Sequence, residues 1–354
     1  MIITETIRVS ASGDHNIYIA SGLTGSVGEI VRRDVPGAGK VAVITDSTVA
    51  ELYLEKIRAS LVSAGFSVYG FSFSPGENNK NLETLSGVLT FLADCGLTRS
   101  DCVLTLGGGI PGDLGGFAAA VYLRGIRFVQ VPATVLACVD SSVGGKTAVD
   151  LPGFKNLVGA FHQPSAVIID PDLLETLPEN IYNEGCAEII KYGVIMDEDF
   201  FAFLENNSIR DTTGYIIRRC VEMKRDIVNE DERETGIRAI LNFGHTVGHA
   251  IEICSKFGIP HGSAVAMGMS IVSAGAYRAG LSVTDITNRL LPLLKKNGLP
   301  VSCGFGEEEL FAAACSDKKR SGDDIKLIVP ERLGKCVPVS VPIEKLREVI
   351  SLGL

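Results

Sequence analysis

The first half of the chain alternates short β-branched runs with segments of helical periodicity, and that alternation leaves few folds open. Val41–Thr45, Ser67–Phe73, Cys102–Leu106, Phe128–Val131 and Ala166–Ile169 are the strand candidates, in the pattern of a parallel sheet covered on both faces. After Leu177-Pro178 such runs become rare and a 3.6-residue period takes over, at Ile181–Ile195, Asp211–Asn229, Ala239–Cys254 and Ala264–Ala279. The expectation is an α/β domain over 1–178 and a mainly helical domain over 179–354. Lys326–Val329 returns as a short strand and Ile343–Ile350 closes the chain as a helix.

With 354 residues, each domain is long enough to bury a core without disulfides or structural metals, so a metal here would serve chemistry. Lys+Arg 33 against Asp+Glu 42 leaves a net charge of -9 and no broad basic surface, which disfavours nucleic acid and anionic membrane as partners. A small acidic ligand stays open, because a pocket can be basic when the surface is not. The nine cysteines are odd in number, lie mostly in apolar stretches and form no C-x-x-C pair, the usage of reduced thiols in a cytoplasmic protein. The N-terminus alternates like a strand and carries an early acid, unlike a signal or transit peptide. The uncharged stretch Gly262–Tyr277 falls short of the ~20 residues of a membrane span and reads as a packed core helix.

Several segments carry candidate chemistry. Leu104-Thr105-Leu106 runs into Gly107-Gly108-Gly109-Ile110-Pro111-Gly112-Asp113, a strand, a glycine turn and a helix start where backbone N–H groups can approach a diphosphate. A simple tight turn is the competing reading, since no acid ends a strand about 20 residues later. Ser74-Pro75-Gly76-Glu77 fits a capping box, or else places Glu77 on ribose hydroxyls with Lys80 nearby. Asp140 through Lys146-Thr147 lacks the first glycine of a P-loop, so a nucleotide triphosphatase is disfavoured; an acid and a lysine remain close together, followed by Lys155-Asn156.

Three of the five histidines, His245, His249 and His261, lie within seventeen residues. His245 and His249 share a helix face at i, i+4, as metal-binding pairs do, but Thr246-Val247 replaces the glutamate segment of a metallopeptidase. Glu188 and Lys191 sit on an otherwise apolar helix, so they either pair with each other or face a polar pocket. Two histidines and one carboxylate would suit zinc as a Lewis acid. Lys224, Glu234, Arg238 and Asn242 lead into the histidine helix, and Asp317-Lys318-Lys319-Arg320 forms a late basic patch. Together with the histidines they suggest an anion pocket. Glu307-Glu308-Glu309 reads as a helix start.

In order, these motifs resemble the 3-dehydroquinate synthase family: Pro-Gly-Glu77-x-x-Lys80, Gly-Gly-Gly-x-x-Gly-Asp113, Asp140-Ser-Ser-Val-Gly-Gly-Lys146-Thr, Lys155-Asn156, Ala-Glu188-x-x-Lys191, Arg238-x-x-x-Asn242-x-x-His245-x-x-x-His249, and His261-Gly. The resemblance implies a Rossmann-like NAD-binding α/β domain joined to a helical domain, an active site between them, a homodimer, and one divalent metal, zinc or cobalt. It implies Glu188, His245 and His261 as metal ligands, with His249 relaying protons instead of ligating. The substrate implied is a small sugar phosphate, 3-deoxy-arabino-heptulosonate 7-phosphate, converted to 3-dehydroquinate and phosphate. Arg124, Lys146, Asn156 and Lys318 would then hold phosphate, and Lys224 and Arg238, beside Asn242, the substrate carboxylate. Asp140, Lys191 and His249 would touch hydroxyls or move protons, with Glu234 in support. Asp46, Glu77, Lys80, Gly108, Gly109, Asp113, Ala133, Thr134, Lys146, Lys155, Leu173 and Thr176 correspond to cofactor contacts. Ile110-Pro111, Ala133 and Cys138 depart from the family's usual residues. The alternatives implied by shared fold are another sugar-phosphate cyclase and a metal-dependent glycerol or alcohol dehydrogenase.

Overall fold

The computed structural model describes residues 5–316, 320–321 and 324–354. The chain divides into two compact units, Met1–Leu177 with Ile217–Arg233, and Pro178–Ile216 with Glu234–Leu354. The expected helix at Asp211–Asn229 forms as Thr213–Glu230, and its larger part, from Ile217, packs with the first unit.

The first unit is built on strands β1 (Glu5–Val9), β2 (His15–Ile19), β3 (Lys40–Asp46), β4 (Ser67–Phe73), β5 (Cys102–Gly107), β6 (Arg127–Pro132), β7 (Lys146–Leu151), β8 (Phe154–Phe161) and β9 (Ala166–Ile169). Seven of them form one sheet in the order β1-β2-β9-β6-β5-β3-β4, parallel except for β1. Alternate residues of its central strands feed two cores. Val41, Val43, Leu104, Val129 and Ile168 pack on one face, and Ala42, Ile44, Val103 and Phe128 on the other. Burial on both faces explains the near-continuous apolar runs. The strands β7 and β8 form a separate antiparallel hairpin turning at Pro152-Gly153.

The expected capping box does not form. Residues Glu77–Asn79 make a single 3-10 turn without a side-chain cap, and the helix starts later, at Leu82, where the Asn81 side chain accepts from the Thr84 N–H at 2.9 Å.

The second unit holds helices Glu179–Met196, Glu198–Asn206, His245–Cys254, His261–Arg278, Thr287–Lys296, Glu307–Ser316 and Ile343–Gly353. It also carries an antiparallel sheet of β10 (Arg320–Ser321), β11 (Asp324–Arg332) and β12 (Lys335–Pro342), of which only the middle of β11 was expected. The expected helix over 239–254 is interrupted. Ile237–Asn242 is a 3-10 segment, and Gly244 takes a left-handed φ of 78° immediately before the helix restarts at His245. A residue with a Cβ disfavours that conformation, so the glycine sets where the histidine helix begins. All nine cysteines are free thiols. Among the described residues no helix is long and apolar enough to cross a membrane.

Candidate active site

In the first unit the chain passes from β3 outward to β4, then crosses back to β5 on the other side of β3. This reversal makes the carboxyl ends of β3 and β5 the topological switch point, where open α/β sheets bind ligands. Asp46 ends β3, and its carboxylate accepts from the Val49 N–H at 3.0 Å. The glycine turn ends β5. Gly107 has φ 140°, and a Cβ there would lie 2.9 Å from Pro111; one on Gly108 would lie 3.1 Å from Thr134. The helix Gly109–Val121 that follows has no side-chain cap, which leaves its first N–H groups for an anion.

The loops after the other parallel strands reach the same edge. After β4 come Glu77 and Lys80; the Lys80 ammonium lies 2.6 Å from the Asp113 carboxylate and donates to Asn156 Oδ1 at 2.5 Å. Burial opposes charge on Lys80, but Asp113 and Glu77 outweigh it and raise its pKa, so it stays protonated. Lys155 lies 3.7 Å from Glu77. After β6, the Ala133 N–H donates to the Gly107 carbonyl at 2.8 Å and Thr134 Oγ1 accepts from the Ala137 N–H at 3.2 Å. After β9, the Tyr53 hydroxyl reaches the Leu173 carbonyl at 3.1 Å and Thr176 Oγ1 at 2.5 Å.

Asp140 lies on the turn Ala137–Ser141, and Lys224 meets it twice, at 3.0 Å from the carboxylate and 2.7 Å from the carbonyl oxygen. Lys146 opens β7 with an exposed side chain. Asn156 stands with Lys80, in the group expected to meet the cofactor. Arg124 is not brought to this edge. It precedes β6, after thirteen helical residues that run ~20 Å back from the glycine turn, at about 1.5 Å per residue.

In the second unit Glu188 lies on the helix Glu179–Met196 with its side chain 1% exposed and pairs with Lys191 one turn along. His245 Nε2 is 3.5 Å and His261 Nε2 3.7 Å from Glu188 Oε1. One ligand atom from each of Glu188, His245 and His261 lies within 4.8 Å of the others. His249 falls outside that set and forms a second one with Glu252 and His261. His245 Nδ1 sits 3.0 Å from the Phe243 carbonyl, which assigns the proton to Nδ1 and leaves a lone pair on Nε2. Burial pushes Glu188 up, yet Lys191, His245 and His261 hold it well below the usual carboxylate range. Burial and Lys191 push His245 well down, so its ring is neutral. Burial would lower His261 too, but the Glu188 and Glu252 carboxylates carry it up to about 10.

Close backbone approach fixes these positions. The His261 helix abuts the Glu188 helix where a Cβ on Gly262 would lie 2.1 Å from the Glu184 carbonyl oxygen, and the Glu184 carboxylate accepts from Ser263 N–H at 2.8 Å and Oγ at 2.5 Å. It abuts the histidine helix at Gly268, whose Cβ would meet the Gly244 carbonyl at 2.1 Å. Arg238 is buried in the 3-10 segment, and Asn242 donates to Glu234. Lys318 lies outside the described residues. Sequence reasoning missed Glu184 and Glu252; the only signal for Glu252 was its position seven residues after His245 on one helix face.

Solved structures define the class first. A 2-deoxy-scyllo-inosose synthase complexed with carbaglucose-6-phosphate, NAD+ and Co2+ matches with a TM-score of 0.88 and 28% identity, covering 99% of this chain and 100% of that one. The 2-epi-5-epi-valiolone synthase of Streptomyces hygroscopicus subsp. jinggangensis 5008, with NAD+ and Zn2+ bound, matches at 0.86 and 25%, covering 97% and 98%. An iron-containing alcohol dehydrogenase at 0.69 and 16% shares the fold alone. The fold is that of the sugar-phosphate cyclases.

Within that class, the 3-dehydroquinate synthase N-terminal model matches residues 70–184 and the C-terminal model 185–320. The 3-dehydroquinate synthase of Streptococcus sanguinis (strain SK36) is 45% identical over 318 residues, 88% of this chain and 90% of that protein. That of Streptococcus thermophilus (strain ATCC BAA-491 / LMD-9) is 43% identical over 343 residues, 95% and 96%. The chain belongs to the 3-dehydroquinate synthase family.

Proposed function

We propose that the chain converts 3-deoxy-arabino-heptulosonate 7-phosphate to 3-dehydroquinate and phosphate, a step of the shikimate pathway, using NAD and one divalent metal, zinc or cobalt. The observation that carries this reading is near-full-length relationship to 3-dehydroquinate synthases together with the convergence of Glu188, His245 and His261. The site fits both groups. The Glu188 carboxylate is buried, its Oε2 paired with Lys191 and its Oε1 facing two imidazole nitrogens, the donor set an anionic and two neutral ligands would give a metal. The glycine turn and the uncapped helix start offer backbone N–H groups where a diphosphate needs them.

When bound, NAD would supply reversible hydride chemistry at the C5 hydroxyl carbon, and the metal would supply Lewis acidity toward the substrate hydroxyls and carbonyl. Glu188, His245 and His261 would hold the metal; Asp46, Glu77, Lys80, Gly108, Gly109, Asp113, Ala133, Thr134, Lys155, Leu173 and Thr176 would line the cofactor. Oxidation at C5 acidifies the neighbouring C–H, so a proton can leave there and phosphate can depart. Lys146, Asn156 and Lys318 would hold the phosphate, and Lys224, Arg238 and Asn242 the carboxylate, so that cations grip both ends of a multiply anionic substrate. Arg124, at the opposite edge of its sheet, is left out of this grip within one chain. Lys224 is already aligned by Asp140, which limits the ordering entropy spent on binding. Asp140, Lys191 and His249 would move protons between hydroxyls and solvent. A homodimeric assembly and a cytoplasmic location complete the reading.

Incubation of the protein with NAD and the heptulosonate phosphate tests it: inorganic phosphate should accumulate without net NADH. Steady NADH formation from a simple polyol, with no phosphate release, would instead assign an alcohol dehydrogenase activity.

A further inference from the structure

Each of the two histidines nearest Glu188 has an acceptor opposite its other ring nitrogen, but the acceptors differ. For His245 it is the Phe243 carbonyl, 3.0 Å from Nδ1. For His261 it is the Glu252 carboxylate, with Oε1 3.5 Å from Nδ1 and a side chain 3% exposed. Glu252 follows His245 by two helical turns on the same face of His245–Cys254, so one helix delivers both a metal-facing imidazole and this acid. The His261 ring is thereby spanned by two carboxylates, Glu188 toward Nε2 and Glu252 toward Nδ1.

We infer that Glu252 is the positioning residue of the metal centre: it accepts a hydrogen bond from His261 Nδ1–H, fixes the ring's orientation, and leaves the Nε2 lone pair directed to the side of Glu188 and His245, where a metal would be held. The inference rests on the metal reading above and deepens it. A carboxylate in this place makes an imidazole a stronger ligand than a carbonyl does, and it orients the ring without touching the ion. The His249, Glu252 and His261 atoms also lie within 4.8 Å of one another. However, an Nδ1 whose proton is shared with Glu252 has no lone pair for a second ion, so one ion per chain follows.

The test uses the full chain stripped of metal, with Zn2+ affinity measured by competition against a chromophoric chelator and the Co2+ absorption spectrum recorded on each variant. Glu252→Ala should bind Zn2+ about 10- to 100-fold more weakly and alter the Co2+ spectrum. Glu252→Gln, which keeps size and an acceptor oxygen, should recover part of the affinity and stands in for the alanine variant should that one not fold. A merely structural role would lower the apo-protein melting temperature and leave the Co2+ spectrum unchanged, and that result would overturn the inference. So would Zn2+ affinity equal to wild type in both variants, or two Zn2+ per wild-type chain with the second lost in Glu252→Ala. Wild-type protein that takes up no Zn2+ would overturn the metal reading itself, a failure distinct from that of Glu252.

Discussion

The placement of His261 depends on a glycine beside it. In Gly262→Ala the new Cβ would lie 2.1 Å from the Glu184 carbonyl oxygen and 2.7 Å from its carbon, where at least 3.0 Å is needed. The obstacle is helix backbone, so it cannot swing aside, and the start of the His261 helix must retreat by about 0.9 Å. Metal–ligand distances tolerate only about ±0.2 Å, so His261 would lose register with Glu188 and His245. Overpacking of this kind costs about 1–3 kcal/mol. Felt fully in the metal complex, that is roughly a 5- to 150-fold loss of Zn2+ affinity, at about 1.4 kcal/mol per decade. The retreat also strains the Glu184 bonds to Ser263, so the apo-protein should melt a few degrees lower, about 2–4 °C per kcal/mol. Chelator competition and thermal unfolding of the apo-protein measure the two effects. Wild-type values for both would refute the claim that backbone contact between these helices sets the ligand geometry.

Two further outcomes follow from the charges. Lys80→Met leaves Asp113 without its buried cation, which should cost about 3 kcal/mol of stability and weaken NAD binding at least tenfold. Urea unfolding and cofactor titration check this, and Lys80→Met with unchanged NAD affinity would remove Lys80 from the cofactor group. In the metal-free protein His261 titrates near 10, so at pH 8 it carries a proton that a metal must displace from Nε2. Zn2+ binding should therefore release about one proton, and affinity should rise about tenfold per pH unit until release fades as the pH passes about 10. Calorimetry in buffers of different ionisation enthalpy reads this directly, and absence of release would exclude a protonated His261 as ligand.

The strands β3, β5, β6 and β9 were legible because a sheet covered on both faces writes apolar residues at consecutive positions, as in Val41–Ile44 and Ala166–Ile169, whereas the edge strand β4, with only Phe73 buried, was marked by its valine and aromatic content. The hairpin of β7 and β8 was not, since Phe154, Asn156, Leu157 and Gly159 are exposed and its Gly, Lys and Asn content has the composition of a loop. Helical periodicity marked Thr213–Glu230, but a period does not say which neighbour a helix packs on, and so the return of Ile217–Arg233 to the first unit was hidden. The capping-box spelling at Ser74 was matched by residue type alone, whereas the Asn81 cap sits four residues past Glu77, where no such spelling stands. For the site, residue spacing located Glu188, Lys191, His245 and His261. It could not separate the His245–His249 pair, which shares a helix face, from the Glu188–His245–His261 set, which exists only when three helices meet. Glu252 escaped because a single acid among Ile251 and Ile253 looks like an ordinary helix position until its partner on another helix is known.

The central claim is that a metal held by this chain and a recycled NAD together expel phosphate from a heptulosonate phosphate. Its most direct test is phosphate release with NAD present, measured before and after stripping divalent metal and again after adding Zn2+ or Co2+. Release that stops on stripping and returns with either ion, without net NADH, is the predicted result. Release that continues undiminished in protein shown to be metal-free, or none from folded, metal-loaded protein, would contradict it.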